Sequence, residues 1–273
     1  GSGQEINTGE GGLAEWGKSI CDKHPDWKVY ISPELKEGYS NILNYKLFTK
    51  TPDFLNIIER DSLHLKVSIR SYKAEQLSEW VRCFLDLEVE NAKHIFENKL
   101  NDYPIFITRS IETAREFLQS KNRGYRRTGL IASSGARRLR PLGLDVSNKI
   151  EVENWFLNPN DDVRSSCFLE IAATEFDVQG LELDWTGVCW GDDFRYMNDS
   201  WSYHSFKGTK WQKVGENEGR KQFIKNKYRV LLTRAREGMI VFIPTGSKTD
   251  HTRPLSNYQG IYNYFKIIGV PEI

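Results

Sequence analysis

Two segments hold the arginines best placed for phosphate chemistry. Residues 228–237 read YRVLLTRARE and run into the apolar stretch 238–244. Arg70 ends the apolar stretch 64–69, just ahead of a long helical pattern. Arginine stays charged at any working pH and offers a rigid fork to paired oxygens, so it is the side chain of choice for gripping phosphate. A third segment, TEFDVQGLELD at 174–184, lies between two apolar runs and adds acidic residues and a glycine. A plainer reading stands beside this one. Arg234 has Arg229 and Arg236 as neighbours, and arginines in a helical pattern usually form a solvated face.

Other chemistries lack their residues. The four cysteines are scattered with no Cys-x-x-Cys pair, and no His-Glu-x-x-His spacing occurs, so a structural zinc site is not expected. No Gly-x-x-x-x-Gly-Lys-Ser/Thr loop is present, and GENEGRKQ at 215–222 has the wrong spacing. Asp26, Glu34 and Lys36 imitate the carboxylate and lysine pattern of a magnesium-dependent nuclease. That pattern is short and common by chance. Asp26 also precedes its strand, while the glutamate follows it.

Strands and helices alternate along the chain. Apolar runs at 27–32, 64–69, 104–108, 128–133, 168–174, 185–190 and 238–244 read as strands. Helical spacing of apolar residues appears at 12–22, with Leu13, Trp16 and Ile20 on one face, and at about 73–100, 111–120, 217–237 and 257–269. Residues 191–215 read as a loop rich in Gly, Asp, Ser and aromatics. Nearly continuous apolar strands between helices predict an α/β fold, with a mainly parallel sheet covered by helices on both faces.

The order of the charged segments carries a family resemblance. TEFDVQGLELD resembles motif V of superfamily 1 helicases of the UvrD/Rep type, and YRVLLTRARE resembles motif VI. Residues 69–71 (IRS) are similar to motif IV, and the opening GQEIN is similar to the tail of motif III. The wording of GQEINTGEGGLAEW, QGLELD and LLTRAR is closest to the Schlafen-group helicase-like ATPase domain of bacterial proteins. The resemblance implies a RecA-like second lobe over 61–273. Residues 1–60 would be the tail of a first lobe plus a connector. It implies that Arg234, and after it Arg70, act on the γ-phosphate of ATP. Glu182 would accept from the ribose hydroxyl, Gly180 would let the backbone approach the ligand, and Gln4 would link phosphate state to lobe position. Thr174 would touch nucleic acid. ATP and Mg²⁺ would be held only together with an upstream lobe carrying the phosphate loop, so the chain alone is expected to be inactive. The same resemblance admits a non-catalytic binding or regulatory module of a larger bacterial defence protein.

Composition sets the partners. The 273 residues carry a net charge of +1, with 39% hydrophobic and 27% charged residues, so any contact with nucleic acid must come from a local patch. Residues 121–140 hold seven basic residues and no acidic one, among them Arg126, Arg127, Arg137 and Arg138. They suit either a groove that tracks single-stranded DNA or RNA or a solvated loop around a buried strand. Trp190, Trp201, Tyr203, Phe206 and Trp211 could stack on bases, but the nearby Asp192, Asp193 and Asp199 favour packing. No apolar run is long enough for a bilayer, and the unpaired thiols read as a cytoplasmic protein.

Overall fold

A computed structural model describes residues 12–33, 35, 47, 48, 50, 52–63 and 72–273. Gln4, Glu34, Lys36, Arg70 and the expected strand at 64–69 lie outside the described residues. The chain forms two compact units, Gly1–Ile69 and Arg70–Ile273.

In the first unit, helix α1 (Gly12–Lys23) precedes strand β1 (Lys28–Ile31), which pairs in parallel with β2 (Asn56–Glu59). Alternation along β1 turns Val29 and Ile31 inward, where they meet Leu47, Phe48 and Leu55. Leu13 and Ile20 pack on this core as their spacing predicts, but Trp16 is 69% exposed. Gly17 takes the inward position instead. The chain at Leu47 passes so close that a Cβ at residue 17 would overlap the Leu47 carbonyl.

The second unit is built on a five-stranded sheet whose pairings are all parallel. Its members are β3 (Ile105–Thr108), β4 (Thr128–Ala132), β5 (Ala172–Thr174), β6 (Leu183–Cys189) and β10 (Ala235–Phe242), in the order β3-β10-β6-β4-β5. Every residue of β4 and β6 is buried, as a sheet covered on both faces requires. One face carries Leu130, Ala132, Trp185, Cys189, Ile240 and Phe242, packed with Ala114 and Leu118 of helix α4 (Ile111–Lys121). The alternate residues Ile131, Ala173, Val188, Met239 and Val241 are fully buried as well. The other long helices form a connected layer. Helix α2 (Tyr72–Leu85) packs on α3 (Val89–Lys99) and α6 (Glu218–Leu232), and α3 packs on α7 (Ser256–Ile268). A short helix α5 (Val152–Leu157) buries Trp155. This is the mainly parallel, helix-flanked α/β architecture of a RecA-like lobe.

Three expectations change. The single helix over 73–100 is two helices. Leu87 adopts φ 61°, Leu87 N donates to Phe84 O, and Glu88 N donates to Cys83 O, which closes α2 with a left-handed cap. The strand expected over 168–174 is reduced to 172–174, because a 3-10 turn at Ser166–Phe168 and a left-handed Leu169 occupy its first half. The loop expected over 191–215 is largely an antiparallel meander of β7 (Phe194–Met197), β8 (Ser200–Lys207) and β9 (Lys210–Lys213). Asn198 and Asp199 both take positive φ between Met197 and Ser200, the two-residue turn that matches strand twist.

The meander's aromatics pack rather than stand free. Phe194 stacks on Trp201 at 4.2 Å, Trp190 lies 4.4 Å from Tyr228, and Trp201 Nε1 donates to Leu85 O. Trp211 Nε1 donates to Thr252 O, and Phe206 meets Trp211 edge-on at 5.1 Å.

Candidate functional site

A parallel sheet puts all strand starts on one edge and all strand ends on the other. The residues singled out by sequence divide between these edges.

Arg234, Gly180 and Glu182 gather at the starting edge. Helix α6 stops at Leu232, so Arg234 is not on the helix but in the tight turn that feeds β10. It is 3% exposed and not on a solvated face. Its Nε donates to Val230 O at 3.2 Å and its Nη1 to Leu181 O at 3.3 Å. Leu183 N donates back to Arg234 O at 2.9 Å. The segments 174–184 and 228–237 are thereby joined through backbone groups. Gly180 takes φ 84° with open space around it, so a turn requirement accounts for this glycine. Beside them Tyr103, which sequence reading missed, donates its hydroxyl to Ala235 O at 2.9 Å. Burial pushes the Tyr103 phenol up, and the Glu182 carboxylate pushes it the same way.

The basic stretch 121–140 is not one surface. Arg126 and Arg127 precede β4, whereas Arg137 and Arg138 follow it. The buried five-residue strand between them spans about 15 Å at roughly 3.3 Å per residue. Three of the four are also committed to the protein. Arg126 pairs with Glu237 at 2.8 Å, and Arg127 donates to the carbonyls of Leu157 and Asn158. Arg138 pairs with Asp250 at 2.7 Å and lies 5.5 Å over the Phe206 ring. Hydrogen bonds from Thr252 and Arg253, then Arg138, hold the Asp250 carboxyl well below its usual range. Arg137 is exposed on the finishing edge.

That edge also carries a buried polar network the sequence reading did not find. Thr174 gives both its N–H and its hydroxyl to Asp177, at 2.8 and 2.6 Å. Glu175, wholly buried, accepts from Ser134 N at 2.7 Å and lies 2.9 Å from the Lys227 ammonium. Asp193 accepts from Ser133 Oγ and from Tyr228 OH, each at 2.6 Å. The backbones at Gly135 and Gly191 press so close to this carboxylate that neither could carry a Cβ without displacing it. Burial pushes Asp193 up, and pushes Asp192 up to about 7 against the pull of Arg195. Both aspartates therefore face the interior instead of repelling phosphate at the surface. The signal was there to read: the apolar run of β6 ends in Gly-Asp-Asp.

Burial raises the thiols of Cys83 and Cys189 to about 12, which keeps them protonated. Among the described residues no three His, Cys, Asp or Glu side chains converge as a metal group. Asp26 is exposed in the turn before β1. Among the described residues, no helix is long and apolar enough to cross a membrane.

No curated protein and no solved structure matches the chain. The family model described as Schlafen group 3, DNA/RNA helicase domain matches residues 1–245. That match takes in the first unit and the second as far as residue 245, including the segments 174–184 and 228–237, and the chain belongs to the Schlafen group 3 DNA/RNA helicase domain family.

Proposed function

We propose that this chain is the second-lobe portion of an ATP-dependent nucleic-acid translocase of the superfamily 1 type. In this reading Arg234 and Arg70 answer to the γ-phosphate, Glu182 to the ribose and Gln4 to the state of the phosphate. The finishing edge of the sheet, with Thr174 and Arg137, faces a single strand of DNA or RNA. Closure of a phosphate-gripping lobe on this one would couple the two edges.

The observation that carries the reading is the joining of Arg234 to the 181–183 backbone. A phosphate-sensing guanidinium must be held rigidly, and here Val230 O and Leu181 O fix two of its nitrogens. The residues present fit the outer part of a nucleotide only. No phosphate loop occurs in the sequence, and no metal group forms among the described residues. Among the described residues Mg²⁺ finds no ligand set of its own. By itself the chain neither binds ATP tightly nor hydrolyses it.

The burial of Arg234 favours a second reading, a helicase-like module that binds nucleic acid without chemistry. A side chain 3% exposed that donates to backbone carbonyls also serves as a structural clasp. One experiment separates the two. ATP turnover is measured for a protein joining this chain to a phosphate-gripping lobe, with and without single-stranded DNA or RNA, beside Arg234→Ala. Turnover that the strand stimulates and the variant abolishes supports the translocase. Turnover that is absent, or indifferent to Arg234, supports the module.

A further inference from the structure

We propose that Arg109 anchors an anion-binding cleft on the finishing edge of the five-stranded sheet, and that the anion is a phosphate group. The cleft measures about 410 Å³ and opens where β3 and β10 end; Arg109, Ser110, Phe242, Pro244, Thr245 and Arg253 line it. In open parallel sheets, clefts outside the carboxyl ends of the strands are a common place for ligands.

Arg109 differs from four other arginines of this unit, each of which bonds an acceptor of the protein. Arg82 is clasped by Glu79 and Glu88, Arg115 bonds Leu169 O, Arg138 pairs with Asp250, and Arg195 bonds Asp192 O. Arg109 has only the face of Tyr262, 4.6 Å from its guanidinium carbon. Among the described residues it has no ion pair and no side-chain hydrogen bond, and its Nη1 is buried without a partner. The carboxylate that influences it, Glu272, is taken by the Tyr262 hydroxyl at 2.6 Å and lies 3.9 Å from the Lys266 ammonium. A partly desolvated guanidinium without a counter-charge is costly, and an incoming anion removes that cost.

The rest of the cleft favours an oxyanion. Arg253 adds a second guanidinium, with only Nε bound to Asp250 at 3.0 Å. Thr245 offers a hydroxyl. Glu112, at the rim, opposes an anion: hydrogen bonds from its own backbone N–H and from Ser110 Oγ at 3.0 Å hold its carboxyl below the usual range and keep it ionised, so the two guanidinium groups must outweigh it. Two guanidinium forks around one cleft suit the three or four oxygens of a phosphate. That the phosphate belongs to a nucleic-acid strand rests on the proposed function; that the cleft takes an anion does not.

The test uses this 273-residue chain with two probes, a short labelled single strand and inorganic pyrophosphate. The expected result is that both bind, and that Arg109→Gln weakens both. For the strand, the slope of log affinity against log salt should fall by roughly one. Arg109→Lys should keep that slope while losing part of the affinity, because the charge stays and the fork is lost. Unchanged pyrophosphate affinity in Arg109→Gln would overturn the proposal, and strand binding that persists unchanged beside it would leave the nucleic-acid reading standing. Arg109-dependent pyrophosphate binding with no strand binding would keep the anion site and sink the nucleic-acid reading. Binding of neither probe overturns both. Should Arg109→Gln fail to fold, the wild-type chain decides: pyrophosphate should protect Arg109 from phenylglyoxal, read by mass spectrometry, and no protection overturns the site.

Discussion

Arg234 Nη1 reaches Leu181 O across 3.3 Å, and Arg234 O in turn accepts from Leu183 N at 2.9 Å. The turn before β10 and the turn before β6 are therefore one rigid piece. Removing the guanidinium leaves buried carbonyls without their donors, which costs about 1–3 kcal/mol. Arg234→Ala should lower the urea midpoint of this chain accordingly, with an unchanged m-value. A midpoint equal to wild type would mean that the clasp contributes nothing to the fold, and would return Arg234 to a purely ligand-directed role.

Lys227 and Glu175 make the sharpest test of the buried network. Glu175 is fully buried, and the lysine supplies its counter-charge at 2.9 Å. Lys227→Met strands the carboxylate, and breaking one side of such a pair costs roughly 3–5 kcal/mol. Adding Glu175→Gln removes the stranded charge and should restore much of the loss. Chemical denaturation of both variants and the double checks this. A double variant no more stable than Lys227→Met alone would show that the pair does not act as a unit.

Asp192 gives the stability a pH dependence of defined sign. Burial raises its carboxyl to about 7 in the folded chain, against about 3.9 unfolded. The folded state therefore holds the proton more tightly. The contribution is fully present below about pH 4 and is lost as pH rises through about 7. Asp192→Asn removes this term, so its urea midpoint should gain on wild type between pH 5 and 7. The relative gain should be on the order of 1–4 kcal/mol. Parallel pH profiles for the two proteins would count against it.

The sheet was legible because its strands are nearly continuous apolar runs, and burial on both faces is what such runs require. The segments around Arg234 and Glu182 were legible as a pair, and the structure does bring them together. What stayed hidden depends on side-chain burial, which periodicity does not report. Asp192 and Asp193 look like surface charges until Ser133, Tyr228 and Asn257 are seen closing over them. The meander was hidden because its signals were read as loop signals. Asn198-Asp199 and Gly208-Thr209 are the two-residue turns of hairpins, and Ser200 and Ser202 on either side of Trp201 mark alternation. Arg109 carried no signal at all, since nothing in sequence says that an arginine lacks a partner.

The split of the basic stretch gives the last prediction. Charge density along 121–140 suggests one groove, but β4 sends Arg126 and Arg127 to the starting edge and Arg137 and Arg138 to the finishing edge. Arg137 is exposed there, with no ion pair among the described residues. An exposed arginine contacting a phosphate contributes to affinity and to its salt dependence, and little to stability. Arg137→Gln should therefore weaken single-strand binding a few-fold, lower the salt slope by roughly one and leave the melting temperature unchanged. Arg126→Gln, on the opposite edge, should leave binding alone. Equal losses in the two variants would place the strand across both edges and contradict the assignment of nucleic acid to the finishing edge, because a path that touches both must wrap the sheet rather than cross one end of it.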